Sequence, residues 1–248
     1  MKNLSDTPVK KERISRQTLS PGVAKVLKRL HFPVDIILMC VRWYVAYSLS
    51  LRNLEEMMAD HGMDVDHSTV HRWVIKRVPL FEKAFGQHKR PVGKSWRMDE
   101  TYILVRGQWK YLYRAVDKDG NTVDFLFRAH RDKAAAQRYF EKAIDQNGMP
   151  ETVTVDKSGA NLAALHALNA ECETPIKIRQ CKYLNNIVEQ DHRAIRRIVK
   201  PMLGFKSFRC ARIILSGIEI MHMIRKGQMN VDSKAPLSVA QQFYALAI

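Results

Sequence analysis

Near residue 95 the apolar spacing stops following a helical step and becomes the alternating, aromatic and β-branched pattern of strands. That change divides the chain and limits the folds open to it. Three such stretches follow in quick succession, "SWRMDETYILV" (95–105), "QWKYLYRAVD" (108–117) and "NTVDFLFRA" (121–129), with a D-G hairpin signal in "VDKDGN" between the last two. Asp117 and Asp119 in that turn are no calcium loop, because the third carboxylate and the distant glutamate are missing. "DKAAAQRYFEKAIDQNG" then reads as a helix ending at Gly148, "ETVTVD" as a strand, "SGANLAALHALNAE" as a helix and "PIKIRQ" as a strand. A last helix opens in "YLNNIVEQDHRAIRR" (183–197). The order is βββαβαβα, an α/β unit whose antiparallel meander leads into parallel strands.

The segment before residue 95 is helical. Val34, Ile37, Leu38 and Val41 recur at i, i+3, i+4 and i+7. A second helix fits 50–60, with Leu51, Leu54 and Met58 inward, and Gly62 suits the position after its end, where positive φ is needed. A third starts at Asp66, a good N-cap, and turns Val70, Trp73, Val74 and Val78 to one side. Its other side offers His67, Ser68, Thr69, His71 and Arg72. These polar, mostly uncharged groups suit base edges better than they suit a solvated face. Three short helices with a glycine-containing turn before the last predict an all-α helix-turn-helix domain, with His67, Ser68, Thr69, His71 and Arg72 as DNA-binding candidates. The expected boundaries are a basic arm at 1–33, the helical domain at 34–83, a linker at 84–95, an α/β core at 96–202 and a helical segment at 203–248.

Composition narrows the partner. The chain has 248 residues, with 41 Lys and Arg against 25 Asp and Glu, a formal charge of +16. Such an excess favours a polyanion, and nucleic acid is the commonest. The four cysteines form no CxxC pair, which argues against a zinc site or disulfide framework and fits a reducing, cytoplasmic setting. The most apolar stretch, 34–51, contains Asp35 and Arg42, so no membrane span is expected.

Against that basic background three acids stand out. Asp99 lies in the first strand, Asp156 closes the fourth and Glu189 falls in the first turn of the last helix. On this element order they can converge, although Glu100 rivals Asp99, and strand alternation sends 99 and 100 to opposite faces. Clustered carboxylates repel unless divalent metal compensates them. Two Mg²⁺ or Mn²⁺ ions could then stabilise the attacking and leaving oxygens of an in-line phosphoryl displacement. Each acid also has a plainer role: Asp156 as a helix cap, and Glu189 at the capping-box position if Asn186 is the N-cap. Along the last helix Glu189, His192, Arg193, Arg196 and Lys200 share one face, a metal ligand followed by a basic rail for the DNA backbone. Ala194, Ile195, Ile198, Val199 and Met202 would face the core.

The chain resembles bacterial insertion-sequence transposases with an RNase H-like DDE core, specifically the insertion sequence six family. The resemblance is carried by "DHSTVHRWV" (66–74), "RMDETYILVRGQWKYLYRAVD" (97–117), "TVDKSGAN" (154–161), "KYLNNIVEQDHRAIRR" (182–197), "LGFKSF" (203–208) and "GIEIMHMIRKGQ" (217–228). It implies an RNase H-like mixed sheet and the metal-binding catalytic triad Asp99, Asp156 and Glu189. Arg196 falls at a basic position common in such enzymes, and Asn185 and Asn186 would support the site. The loop near 170–175 is shorter than the family leads one to expect. The implied activity is cleavage at terminal inverted repeats and strand transfer to target DNA, by the replicative cointegrate route, in a dimer or larger assembly. A non-catalytic DNA-binding regulator and a structure-specific nuclease are the competing classes.

Overall fold

The computed structural model describes residues 32–156, 159–170, 172–181, 186–231 and 235–247. The basic arm, up to residue 31, lies outside them.

Three helices open the described chain: α1 (Val34–Ala46), α2 (Leu51–Asp60) and α3 (His67–His88). Gly62 and Asp66 act as the sequence predicts, and the structure adds a cap at Ser50. The Ser50 side chain accepts from the Asn53 amide while Asn53 returns a bond to the Ser50 amide, a capping box. Gly62 follows α2 at φ 71°, and the Asp66 carboxylate caps α3 by accepting from the Ser68 amide. Helix α3 runs into the segment expected to be linker. Phe81 and Phe85 extend the buried stripe of Val74 and Val78, so apolar contact carries the helix through Pro79 and on to His88.

The sheet follows. Strands β1 (Ser95–Val105), β2 (Gln108–Asp117) and β3 (Thr122–Arg128) form the meander. Asp117 locks the β2–β3 turn by accepting from the Asp119 and Asn121 amides, and from the Gly93 amide on the entering chain. Helix α4 (Lys133–Asn147), strand β4 (Thr152–Val155), helix α5 (Gly159–Ala170), strand β5 (Lys177–Gln180) and helix α6 (Asn186–Val199) come next. After a 3₁₀ turn at Lys200–Met202 come α7 (Phe208–Arg225) and α8 (Val239–Ala245). The sheet order is β3-β2-β1-β4-β5. Strand β2 is antiparallel to both neighbours, and β1, β4 and β5 are mutually parallel. This is the RNase H-like mixed sheet that the resemblance implies.

Two cores flank it. On one side Trp96, Met98, Tyr113 and Val153 pack against Tyr139 and Phe140 of α4 and Leu165 of α5. On the other Ile103, Val105, Leu112 and Phe127 join Ile195 of α6, most of α7 and the inward residues of α1 and α3. Sheet and amino-terminal helices therefore share one continuous apolar core, with α7 at its centre. Gly217 lets α7 approach closely, since a Cβ there would lie 2.8 Å from Val45 and 3.0 Å from Val78. Overpacking at such a contact costs about 1–3 kcal/mol. Gly217→Val is expected to lower the calorimetric melting temperature, by about 2–4 °C per kcal/mol lost. An unchanged transition would refute the close packing of α7 against α1 and α3.

Candidate active site

Strand β1 pairs with β2 along its whole length but with β4 only at Ser95, Trp96 and Arg97. Past Arg97 no described strand covers its other edge until Phe205 bridges it at Val105, and β4 ends at Val155 with Asp156 next. Asp99 and Asp156 thus sit at the same end of adjacent parallel strands. One carboxylate oxygen each from Asp99, Glu100 and Asp156 lie within 4.8 Å of one another. Alternation led to the expectation that only one of Asp99 and Glu100 could join the site. Both do. Their side chains leave opposite faces of β1, but the free edge lets the two carboxylate ends converge there.

The electrostatics are unequal around this cluster. The Glu100 side chain is 3% exposed and Arg131 binds it from both Nε and Nη2 at 3.3 Å. Burial raises the Glu100 pKa, and Arg131 opposes that shift. The same guanidinium stands 3.6 Å from Asp156, so one cation bridges two of the three acids. Oxygen-only donors of this charge and spacing fit a hard divalent cation. Asp99 meets a different neighbour, with His192 Nε2 lying 3.4 Å from its Oδ2. His192 is 1% exposed, and burial lowers its pKa despite Asp99, so the ring is neutral at pH 7. The expectation that His192 joins an exposed basic rail is therefore corrected. It sits at the margin of the buried side of α6, and contact with β1 takes it inward.

Other members of that helix face fall as follows. Arg193, Arg196 and Lys200 are exposed. Glu189 is exposed too and stands outside the three-acid cluster. Asn186 already lies within α6 rather than before it, and Asn185 is outside the described residues. Ile195 and Ile198 are buried as expected, while Ala194, Val199 and Met202 are only half-buried.

A second set of charges escaped the sequence reading. Arg114 of β2, the cross-strand partner of Asp99, is completely buried. Its Nε donates to Glu219 of α7 at 2.6 Å and its Nη2 to Asp191 of α6 at 2.7 Å. Asp191 also meets His222 Nε2 at 2.7 Å and Lys226 Nζ at 2.6 Å. Burial pushes the Asp191 carboxyl upward, but His222 and Arg114 outweigh it and hold the group well below the usual carboxylate range. The available signal was a lone arginine inside "YLYRAV" and a lone glutamate inside "GIEIM". Charges embedded in apolar runs need each other.

On α3, Ser68 and Arg72 are exposed and His67, Thr69 and His71 are half-buried. His67 Nδ1 lies 3.2 Å from Glu55 and 3.3 Å from Asp66, and Arg72 donates to Thr69 at 2.8 Å. These residues cluster at the start of one helix, where Arg72 is tied to Thr69 and His67 to Glu55 of α2.

Residues 93–228 match a protein family described as a DDE domain. The chain is 35% identical over 201 residues to a transposase for insertion sequence-like element IS431mec of Staphylococcus aureus strain Mu50, covering 79% of this chain and 86% of that protein. Identity and coverage are the same for a Staphylococcus aureus transposase for insertion sequence element IS257 in transposon Tn4003. Among solved structures, the HTLV-2 integrase catalytic core domain in complex with magnesium (trimeric form) aligns with a TM-score of 0.43 at 15% identity, over 62% of this chain and 99% of that one.

Removing one partner of a buried ion pair costs about 3–5 kcal/mol, because the other charge is left uncompensated. Arg114→Met is expected to lose stability on that scale in denaturant unfolding, and adding Glu219→Gln to recover part of the loss. A double variant no more stable than the single would show that the pair is not the source.

Proposed function

From the premise that this chain belongs to the DDE transposases of the insertion sequence six family, enzymes that transfer polynucleotide strands, we propose that it binds the terminal inverted repeats of its element. There it cuts one strand at each end and joins the freed 3′ ends to target DNA by in-line phosphoryl transfer. The observation that carries the reading is the convergence of Asp99, Glu100 and Asp156 beside a helix whose exposed side is basic. Pure DNA binding gains nothing from acids set where phosphates must approach.

Asp99 and Asp156 would hold divalent metal, two Mg²⁺ or Mn²⁺ ions in the full site, with Glu100 adjoining them. Glu189, on the helix that carries His192, would complete the set once DNA is engaged. Such ions supply charge neutralisation at the attacking and leaving oxygens of the phosphodiester. The protein's own groups do the rest. His192 buttresses the Asp99 carboxylate, and Arg131 holds Glu100 and Asp156 together against their mutual repulsion. Arg193, Arg196 and Lys200 bind backbone phosphates and set the register of the scissile bond. Because cleavage and transfer are both displacements at phosphorus, one site serves both without a covalent enzyme intermediate. The start of α3, with Ser68 and Arg72 outermost, would read the repeat from the major groove. Two ends must be cut, so the working assembly is a dimer or larger, and the family analogy favours the replicative cointegrate route.

Strand cleavage of DNA carrying the element ends, in Mg²⁺, is the test. Asp99→Asn, Asp156→Asn and Glu189→Gln should each cut at a rate at least about a hundredfold lower, the usual scale for losing a preorganised charge at the reacting group. End binding by gel shift should persist. Full cleavage by any of the three would remove that residue from the site. Arg196→Ala should reduce the slope of log affinity against log salt by about 0.9, one phosphate contact's share. An unaltered slope would rule out a backbone role.

A further inference from the structure

Beyond the acid cluster β1 continues, and the surface opens into a groove of about 590 Å³ between the β1–β2 hairpin and α6. This lies within the size range of sites for small organic groups. Two large aromatics border it that should not be left in water without use. Trp109 is 60% exposed and Tyr102 49%. Their rings meet edge to face, with centroids 6.5 Å apart, which holds both planes in place. From the facing helix Arg193, Arg196 and Arg197 line the groove, joined by Lys200, and no acidic residue lines it. Leu203, 88% exposed at φ 53°, closes the far end.

We propose that this groove binds unpaired nucleotides of DNA, the bases stacking on Trp109 and Tyr102 and the phosphates meeting the α6 guanidinium groups. The cations alone would suit any duplex. The aromatics would not, since a paired base keeps both faces inside its own stack, and only an unpaired base has a free face to offer. Tyr102 is three strand residues from Asp99, about 10 Å at the strand rise, or about three stacked-base steps at 3.4 Å each. The groove therefore takes a strand leaving the acid cluster, keeping the region next to the scissile bond unpaired. This rests on the strand-transfer reading in taking the ligand to be DNA and the acid cluster to be where it is cut.

Binding is measured on the full chain in EDTA, so that it does not depend on metal or catalysis. The probes are a blunt duplex oligonucleotide and the same duplex with a short oligothymidine 3′ tail, compared by fluorescence anisotropy. Wild type should prefer the tailed probe by roughly five- to 150-fold per stacked base, with quenching of the exposed Trp109 indole. Trp109→Ala and Tyr102→Ala should each reduce that preference while leaving blunt-duplex affinity near wild type, and Trp109→Phe should keep most of it. The inference fails if wild type binds both probes equally. It also fails if Trp109→Ala weakens both in the same proportion, as a duplex backbone contact or a damaged fold would do. A preference unaffected by either alanine variant would equally overturn it. Failure here leaves the cleavage test untouched, and loss of cleavage in Asp156→Asn says nothing about the tail preference.

Discussion

A single buried guanidinium ties the site together. Arg114 rises from β2 directly across from Asp99, and it binds Asp191 of α6 and Glu219 of α7 where water does not reach. Buried ion pairs add little to net stability, because desolvation consumes most of the attraction, yet leaving one half unpaired is costly. The consequence is geometric. Two successive helices, both far in sequence from β2, must present these carboxylates to one fork on the sheet, and that fixes the rotation of α6. Asp191 is turned inward to Arg114, so its neighbour His192 is turned onto Asp99, and Arg193 and Arg196 are turned outward. The basic face that would meet DNA has its direction set by an interaction it does not touch.

The sheet supplies the complementary constraint. The β1–β2 ladder covers all of β1, whereas the parallel β1–β4 ladder is three residues long. That short pairing is what makes the cluster possible. A longer one would cover the β1 edge with main-chain hydrogen bonds and hold Asp99 and Glu100 to their separate faces. Arg131, at the entrance to α4, then offsets the repulsion among acids that the open edge brings together. With the cluster at one end of that open stretch and Tyr102 further along it, its ring against Trp109 of β2, one topological feature organises both the chemistry and the adjoining surface.

How far this was legible in the sequence depended on the kind of signal. Strands 95–105 and 108–117 could be read residue for residue, because the pattern and the D-G turn agree with the final pairing. The cap at Asp66 and the inward faces of α1, α2 and α3 were readable for the same reason: local and tertiary preferences coincide. Asp99 and Asp156 could be placed together from element order. What could not be read was how far each ladder runs, and so whether Glu100 belongs with Asp99. Strand alternation describes where Cβ points, and a glutamate reaches well past that.

The α6 face marks the limit of helical periodicity. At roughly 100° per residue, Glu189, Arg193, Arg196 and Lys200 lie within about 60° of one another, while His192 is about 70° off their mean direction. The buried residues Val188, Asp191, Ile195 and Ile198 centre about 80° further round. His192 is therefore nearly equidistant between solvent and core, and the wheel alone has no means to choose. The partner decides: Asp99 lies beneath it, and a neutral imidazole can be buried against a carboxylate at a cost an arginine would not bear without full pairing. Asp191 is the converse case: periodicity places it on the buried arc between Ile195 and Ile198, its charge alone would send it to water, and Arg114 keeps it inward. Periodicity places a residue on an arc, and at the edges of the arc the opposite charge across the interface settles the outcome.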